Sequence, residues 1–124
     1  MSSDLVSAAE DAWGAPLPDW IRALAVACDR SSQSRVAARL GRSPAVVSTV
    51  LRRKYAGSYE RIEERVRGLL MDGVVDCPAM GPLPTNECQD WREKARVFAV
   101  GNPRRTRMYR ACHRCPIFQR EAEP

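Results

Sequence analysis

Histidine is almost missing from this chain, with His113 the only one in 124 residues. Metal sites built from several imidazoles are therefore excluded. No nucleophile–base pair surrounds that single ring, and no glycine-rich loop of the phosphate-cradling kind is present. Lysine is scarce too: only Lys54 and Lys94 occur, so the basic charge is arginine. No apolar run approaches the length that spans a bilayer. Met1-Ser2-Ser3-Asp4 has neither a basic start nor an apolar stretch behind it, so no secretory signal is read. These absences predict a protein that is not an enzyme and does not meet a membrane. The expected location is the bacterial cytosol or nucleoid, where thiols stay reduced.

Acid is missing from one region. Residues 31–57 contain Arg35, Arg39, Arg42, Arg52, Arg53 and Lys54 and no Asp or Glu, a block of +6. Residues 1–30 sum to −3, residues 58–76 to −2, and residues 99–124 to +4, within a net charge of +5. Two basic islands in neutral or acidic surroundings point to a polyanion more than to general solubility. The hydrophobic fraction of 44% and charged fraction of 28% predict a folded, mainly α chain with a small core.

The expected organisation is an acidic N-terminal segment (1–16), a helical domain (17–73), a four-cysteine lobe (74–118) and a tail (119–124). Residues 4–13 read as weakly helical, with Trp13 as a docking anchor. Asp19 is the expected cap of a helix whose apolar face is Trp20, Leu24, Ala27 and Cys28, and Cys28 reads as a buried small hydrophobe. Val36, Ala37 and Leu40 form a second, short apolar face. Gly41 then suits a turn that needs positive φ. Ser43 caps the next helix and Pro44 takes its first turn. Val47, Val50 and Leu51 face inward from it, and small Ala37 lets the two helices approach. Ser58 caps a further helix carrying Ile62, Val66, Leu69 and Leu70.

Gln33, Ala37, Leu40-Gly41, Ser43, Val47-Ser48 and Val50 together resemble the helix-turn-helix of lambda-repressor-like DNA-binding regulators. Arg42 departs from that pattern, which usually has an apolar residue there. Lys54-Tyr55-Ala56-Gly57 and the amphipathic helix after it also look like regulators of Mu-like prophages. The resemblance implies a second helix in the major groove of double-stranded DNA and a homodimer on a two-part site. Ser43, Ala45, Ser48, Thr49 and Arg52 would then face base edges, and Arg52 has the fork that matches guanine. Gln33, Arg35, Arg39, Arg53 and Lys54 would meet phosphates.

After Gly73 the pattern changes. Val74-Val75-Asp76 reads as a short strand or link. Cys77, Cys88, Cys112 and Cys115 follow in the spacing C-x10-C-x23-C-x2-C. Pro78, Gly81, Pro82 and Pro84 make residues 77–88 read as an irregular loop. Asn86 is the expected cap of a helix carrying Trp91, Ala95 and Phe98. Asn102 and Pro103 open another, which carries Met108, and Cys112 to Pro116 reads as a knuckle-like turn. Four thiolates in two pairs fit a tetrahedral Zn²⁺ site, and a [4Fe–4S] cluster takes the same four. Both remain open, with structural zinc the first choice. Arg104, Arg105, Arg107 and Arg110 form a second basic patch.

The favoured function is a sequence-specific DNA-binding transcriptional regulator. An iron–sulfur redox-sensing transcription factor is one alternative. An adaptor acting on the transcription machinery, with RNA polymerase as a possible partner, is the other.

Overall fold

Four helices begin on a side chain that accepts from an N–H of their own first turn. Ser32 accepts from Arg35 N at the start of α3 (Gln33–Leu40), and Ser43 from Val46 N at α4 (Pro44–Leu51). Ser58 accepts from Arg61 N at α5 (Tyr59–Leu70), and Asn102 from Arg105 N at α7 (Pro103–Arg114). Each satisfies an N–H that the helix leaves orphaned. The computed structural model describes residues 4–122, and the chain is mainly helical with one two-stranded sheet. It divides into two compact units, meeting in sequence at Asp72 and Gly73.

The first unit holds α1 (Asp4–Trp13), α2 (Asp19–Arg30), α3, α4 and α5. Its core is one cluster: Ile21, Leu24 and Ala25 of α2, Val36, Ala37 and Leu40 of α3, Val47, Val50 and Leu51 of α4, and Ile62 and Val66 of α5. Cys28 belongs to it, and burial, with the Asp29 charge adding, pushes its thiol up to about 11. The N-terminal segment is not separate from this unit. Val6 and Ala9 of α1 are buried in the same cluster, and Trp13 is an internal anchor.

Asp19 is not the cap of α2. Pro18 occupies that position, and Asp19 is the first helical residue, its Oδ1 accepting from Trp20 N at 2.8 Å. It also receives two guanidinium bonds from Arg67 of α5, at 2.8 and 3.1 Å. Those bonds hold its carboxyl below the ordinary range. A depressed folded pKa adds stability above the unfolded value and loses it as pH falls through the folded one. Arg67→Met is therefore expected to flatten the decline in stability below about pH 4. Urea melts of both proteins across the acid range check this.

The second unit begins with a ribbon. β1 (Val74–Cys77) pairs antiparallel with β2 (Gly81–Pro84), Cys77 opposite Gly81 and Val74 opposite Pro84. Residues 77–88 are thus not an irregular loop. In a two-stranded ribbon both strands are edges, so alternate residues have an outward N–H and proline is tolerated at Pro82 and Pro84. Gly81 carries the positive φ of the turn. α6 (Thr85–Lys94) follows directly, with Pro84 at its cap position. Asn86 is therefore not the cap; it is buried inside the first turn, and its Oδ1 has no partner among the described residues. Phe98 lies beyond α6 and is half exposed, touching Tyr109 edge-on.

α7 runs through Arg114, Cys115 is its C-cap, and α8 (Pro116–Ala122) begins at once. Residues 112–116 are thus a helix end and not a free knuckle, and the expected tail is largely α8. This unit has a thin core of its own: Leu83, Cys88 and Met108 are buried, and Ala95, Cys112 and Phe118 form a cluster with Trp91, Tyr109 and Cys115 packed around it.

Candidate nucleic-acid interface and cysteine cluster

The α3–α4 pair turns on Gly41, whose backbone is left-handed (φ 69°, ψ 35°), a conformation glycine adopts without a Cβ penalty. Ala37 is fully buried where the two helices meet. Arg65 of α5 donates to Leu40 O at the end of α3. Behind α4, Trp13 Nε1 donates to Val50 O at 3.0 Å, and Trp13 packs edge-on against Trp20 and Tyr59. Tyr59 packs edge-on against Tyr55 and accepts from its backbone N–H. A Cβ on Gly57 would lie 2.5 Å from the Tyr55 ring, so any other residue there must displace that ring. An aromatic ladder thus fixes the C-terminal end of α4.

The outward side of α4 carries Ser43, Ala45 and Arg52, all exposed, with Ser48 and Thr49 partly exposed. Ser43 already accepts from Val46 N, so its hydroxyl remains a donor. Thr49 Oγ1 donates back to Ala45 O and Val46 O, leaving it an acceptor. Arg52, Arg35 and Lys54 are exposed at the ends of the two helices, and Gln33 is half-buried on the first turn of α3. Arg39 is engaged elsewhere: its guanidinium donates to Leu69 O at 2.8 Å, capping the end of α5.

Arg53 has φ +56°, left-handed for a residue with a Cβ, and its guanidinium lies 5.0 Å from the Trp13 ring centre. Glycine is the residue this helix-ending position prefers. Arg53→Gly is expected to change stability by less than about 1 kcal/mol, since backbone relief offsets a lost cation–π contact. If Arg53 meets a phosphate, as proposed below, affinity for duplex DNA should fall alike on all sequences, with a salt slope shallower by about one. Thermal melts and binding titrations at several salt concentrations check both parts.

In the second unit, Cys77 ends β1, Cys88 lies on α6, Cys112 on α7 and Cys115 at its cap. All four border one cavity of about 20 Å³, walled by Val75, Leu83, Met108 and Ile117 among others. As the side chains stand, no three or more Cys, His, Asp or Glu among the described residues form a group that holds a metal ion. Burial, and then the nearby Cys88, Cys77 and Cys115, push the Cys112 thiol up to about 11, while Arg92 opposes. His113 is committed elsewhere. Its ring packs at a tilt between Tyr109 and Phe118, and its Nε2 donates to Ala95 O at 2.9 Å.

Arg92 is the functional candidate that sequence reasoning missed. It is 2% exposed, and its guanidinium reaches Cys88 Sγ at 3.0 Å and Glu121 at 3.2 Å. The legible signal was its spacing of four from Cys88 on a helix. The second basic patch divides. Arg107 and Arg110, with Arg114, line an open groove of about 800 Å³ beside Pro78 and Asn102. Arg107 also donates to Ala79 O at 3.1 Å. Arg104 lies over the Trp91 ring, and Arg105 Nε is buried without a partner among the described residues.

Comparison with known proteins finds no matching family model, no matching curated protein and no matching solved structure. Among the described residues, no helix is long and apolar enough to cross a membrane.

Proposed function

We propose that the chain is a sequence-specific DNA-binding transcriptional regulator, with α3 and α4 as its helix-turn-helix. One observation carries the reading: the α3–Gly41–α4 pair presents short polar and small side chains and Arg52 outward, from a stretch with six cations and no acid. α4 enters the major groove, and its first turns meet base edges. Arg35, Arg53 and Lys54 hold phosphates, which supply affinity without sequence information. Binding as a homodimer to two half-sites suits this geometry. Arg107, Arg110 and Arg114 supply a second backbone contact. The role is binding and not catalysis, and it belongs in the bacterial cytosol or nucleoid. In the second unit, Cys77, Cys88, Cys112 and Cys115 form a four-cysteine metal site, with structural zinc favoured over a [4Fe–4S] cluster.

Arg52→Ala tests the reading directly. It is expected to cost about 1–3 kcal/mol on the preferred site. On unrelated duplex it should cost far less, because a phosphate contact would be lost equally from both. Equal losses on the two DNAs would remove Arg52 from the base-reading set. Failure to retard any duplex at low salt would favour an adaptor acting on RNA polymerase instead.

A further inference from the structure

A guanidinium out of contact with water must be matched by acceptors, or it destabilises the fold. Arg92 is 2% exposed, and Glu121 of α8 is one of its acceptors, at 3.2 Å. Arg96 shares that carboxylate at 3.5 Å, so Glu121 does not neutralise Arg92 alone. Cys88 Sγ is another, at 3.0 Å. A neutral thiol is a weak acceptor, whereas a thiolate makes the bond charge-assisted. Arg92 also borders the cavity that the four cysteines share.

That cavity has room of about 20 Å³, the scale of one water molecule, and the rest of its wall is largely apolar. Four thiolates around one divalent ion carry a formal −2, which an apolar wall does not tolerate unaided.

We infer that Cys77, Cys88, Cys112 and Cys115 close on a single zinc-class ion, and that Arg92 is the positioning residue that holds the Cys88 sulfur and offsets the excess negative charge. Through Glu121 the same guanidinium ties α8 to the site, so one ion organises the ribbon, α6, α7 and α8 together. This inference rests on the four-cysteine zinc reading and adds to it the role of Arg92.

The test uses the full chain, reduced, stripped of metal and titrated without oxygen with Co²⁺ and then Zn²⁺. One Co²⁺ per chain is expected, with the strong visible bands of a tetrahedral tetrathiolate, bleached by one Zn²⁺. Arg92→Met is expected to weaken Zn²⁺ binding about 10–100-fold. It should also shift the sulfur-to-cobalt charge-transfer band, because Cys88 loses an N–H donor. Arg92→Lys keeps the charge and is expected to fall between the two in both readouts. Absence of Co²⁺ uptake, or iron with sulfide in protein purified without oxygen, would overturn the single-ion site. Native-like affinity and spectrum in both Arg92 variants, beside normal uptake by the native chain, would overturn the role of Arg92 and leave the four-cysteine site standing.

Discussion

Cys112→Ser is expected to leave residues 73–122 without stable tertiary structure, even with zinc supplied, while α2 to α5 stay folded. The reason lies in the two cores. The first unit has a continuous buried cluster drawn from all five of its helices. Among its described hydrophobic residues, the second buries only Leu83, Cys88, Ala95, Met108, Cys112 and Phe118, with a few half-buried neighbours. Fifty or so residues with so little apolar burial do not offset their conformational entropy unaided. A structural zinc at the proposed site would supply on the order of 10 kcal/mol to such a fold, and loss of one of its four ligands would forfeit a large part of that. Hydrogen exchange read by mass spectrometry separates the outcomes. Protection should vanish in α6, α7 and α8 and persist in α2 to α5. Unchanged protection in the second unit would mean that its fold does not depend on the cysteine site.

Leu40→Ala should have the next largest effect. Leu40 is 1% exposed, it ends α3, and its carbonyl receives Arg65. Truncation leaves a cavity directly behind the turn and costs about 2–5 kcal/mol. Set against a typical total of about 5–15 kcal/mol, that is enough to unfold a large share of the first unit on mild warming. DNA binding should then fall on every sequence together, unlike the selective loss expected for Arg52→Ala. Urea denaturation followed by tryptophan fluorescence checks the stability, because Trp13 and Trp20 both pack in this unit.

Local chemistry was legible in the sequence, and register was less so. Ser43-Pro44, Ser58 and Asn102-Pro103 were readable as helix starts because a cap acts within three residues. Gly41 was readable because only one backbone region suits the turn it makes. Asp19 and Asn86 misled for a shared reason. Each follows a proline that takes the cap position, by one residue after Pro18 and by two after Pro84, so both side chains fall inside the first turn. The apolar spacing from Trp91 to Phe98 suggested one helix, but α6 ends at Lys94. The prolines of β2 argued against a strand, and they fit only because the ribbon has no third strand. Arg92 was hidden because a charged residue in a neutral block gives no sign of burial. Its burial follows from α6 and α8 meeting at Glu121, a long-range contact that no local pattern encodes.

The most direct measurement of the central claim is selection of bound duplexes from a randomised pool by the native chain, with the enriched sequence then titrated against scrambled DNA. Enrichment of a two-part site is expected, its halves about one helical turn apart. Its affinity should exceed that for scrambled DNA by about 10³-fold or more, with both affinities falling steeply as salt rises. A pool that emerges without enrichment, or equal affinity for the selected and scrambled duplexes, would contradict sequence-specific DNA binding.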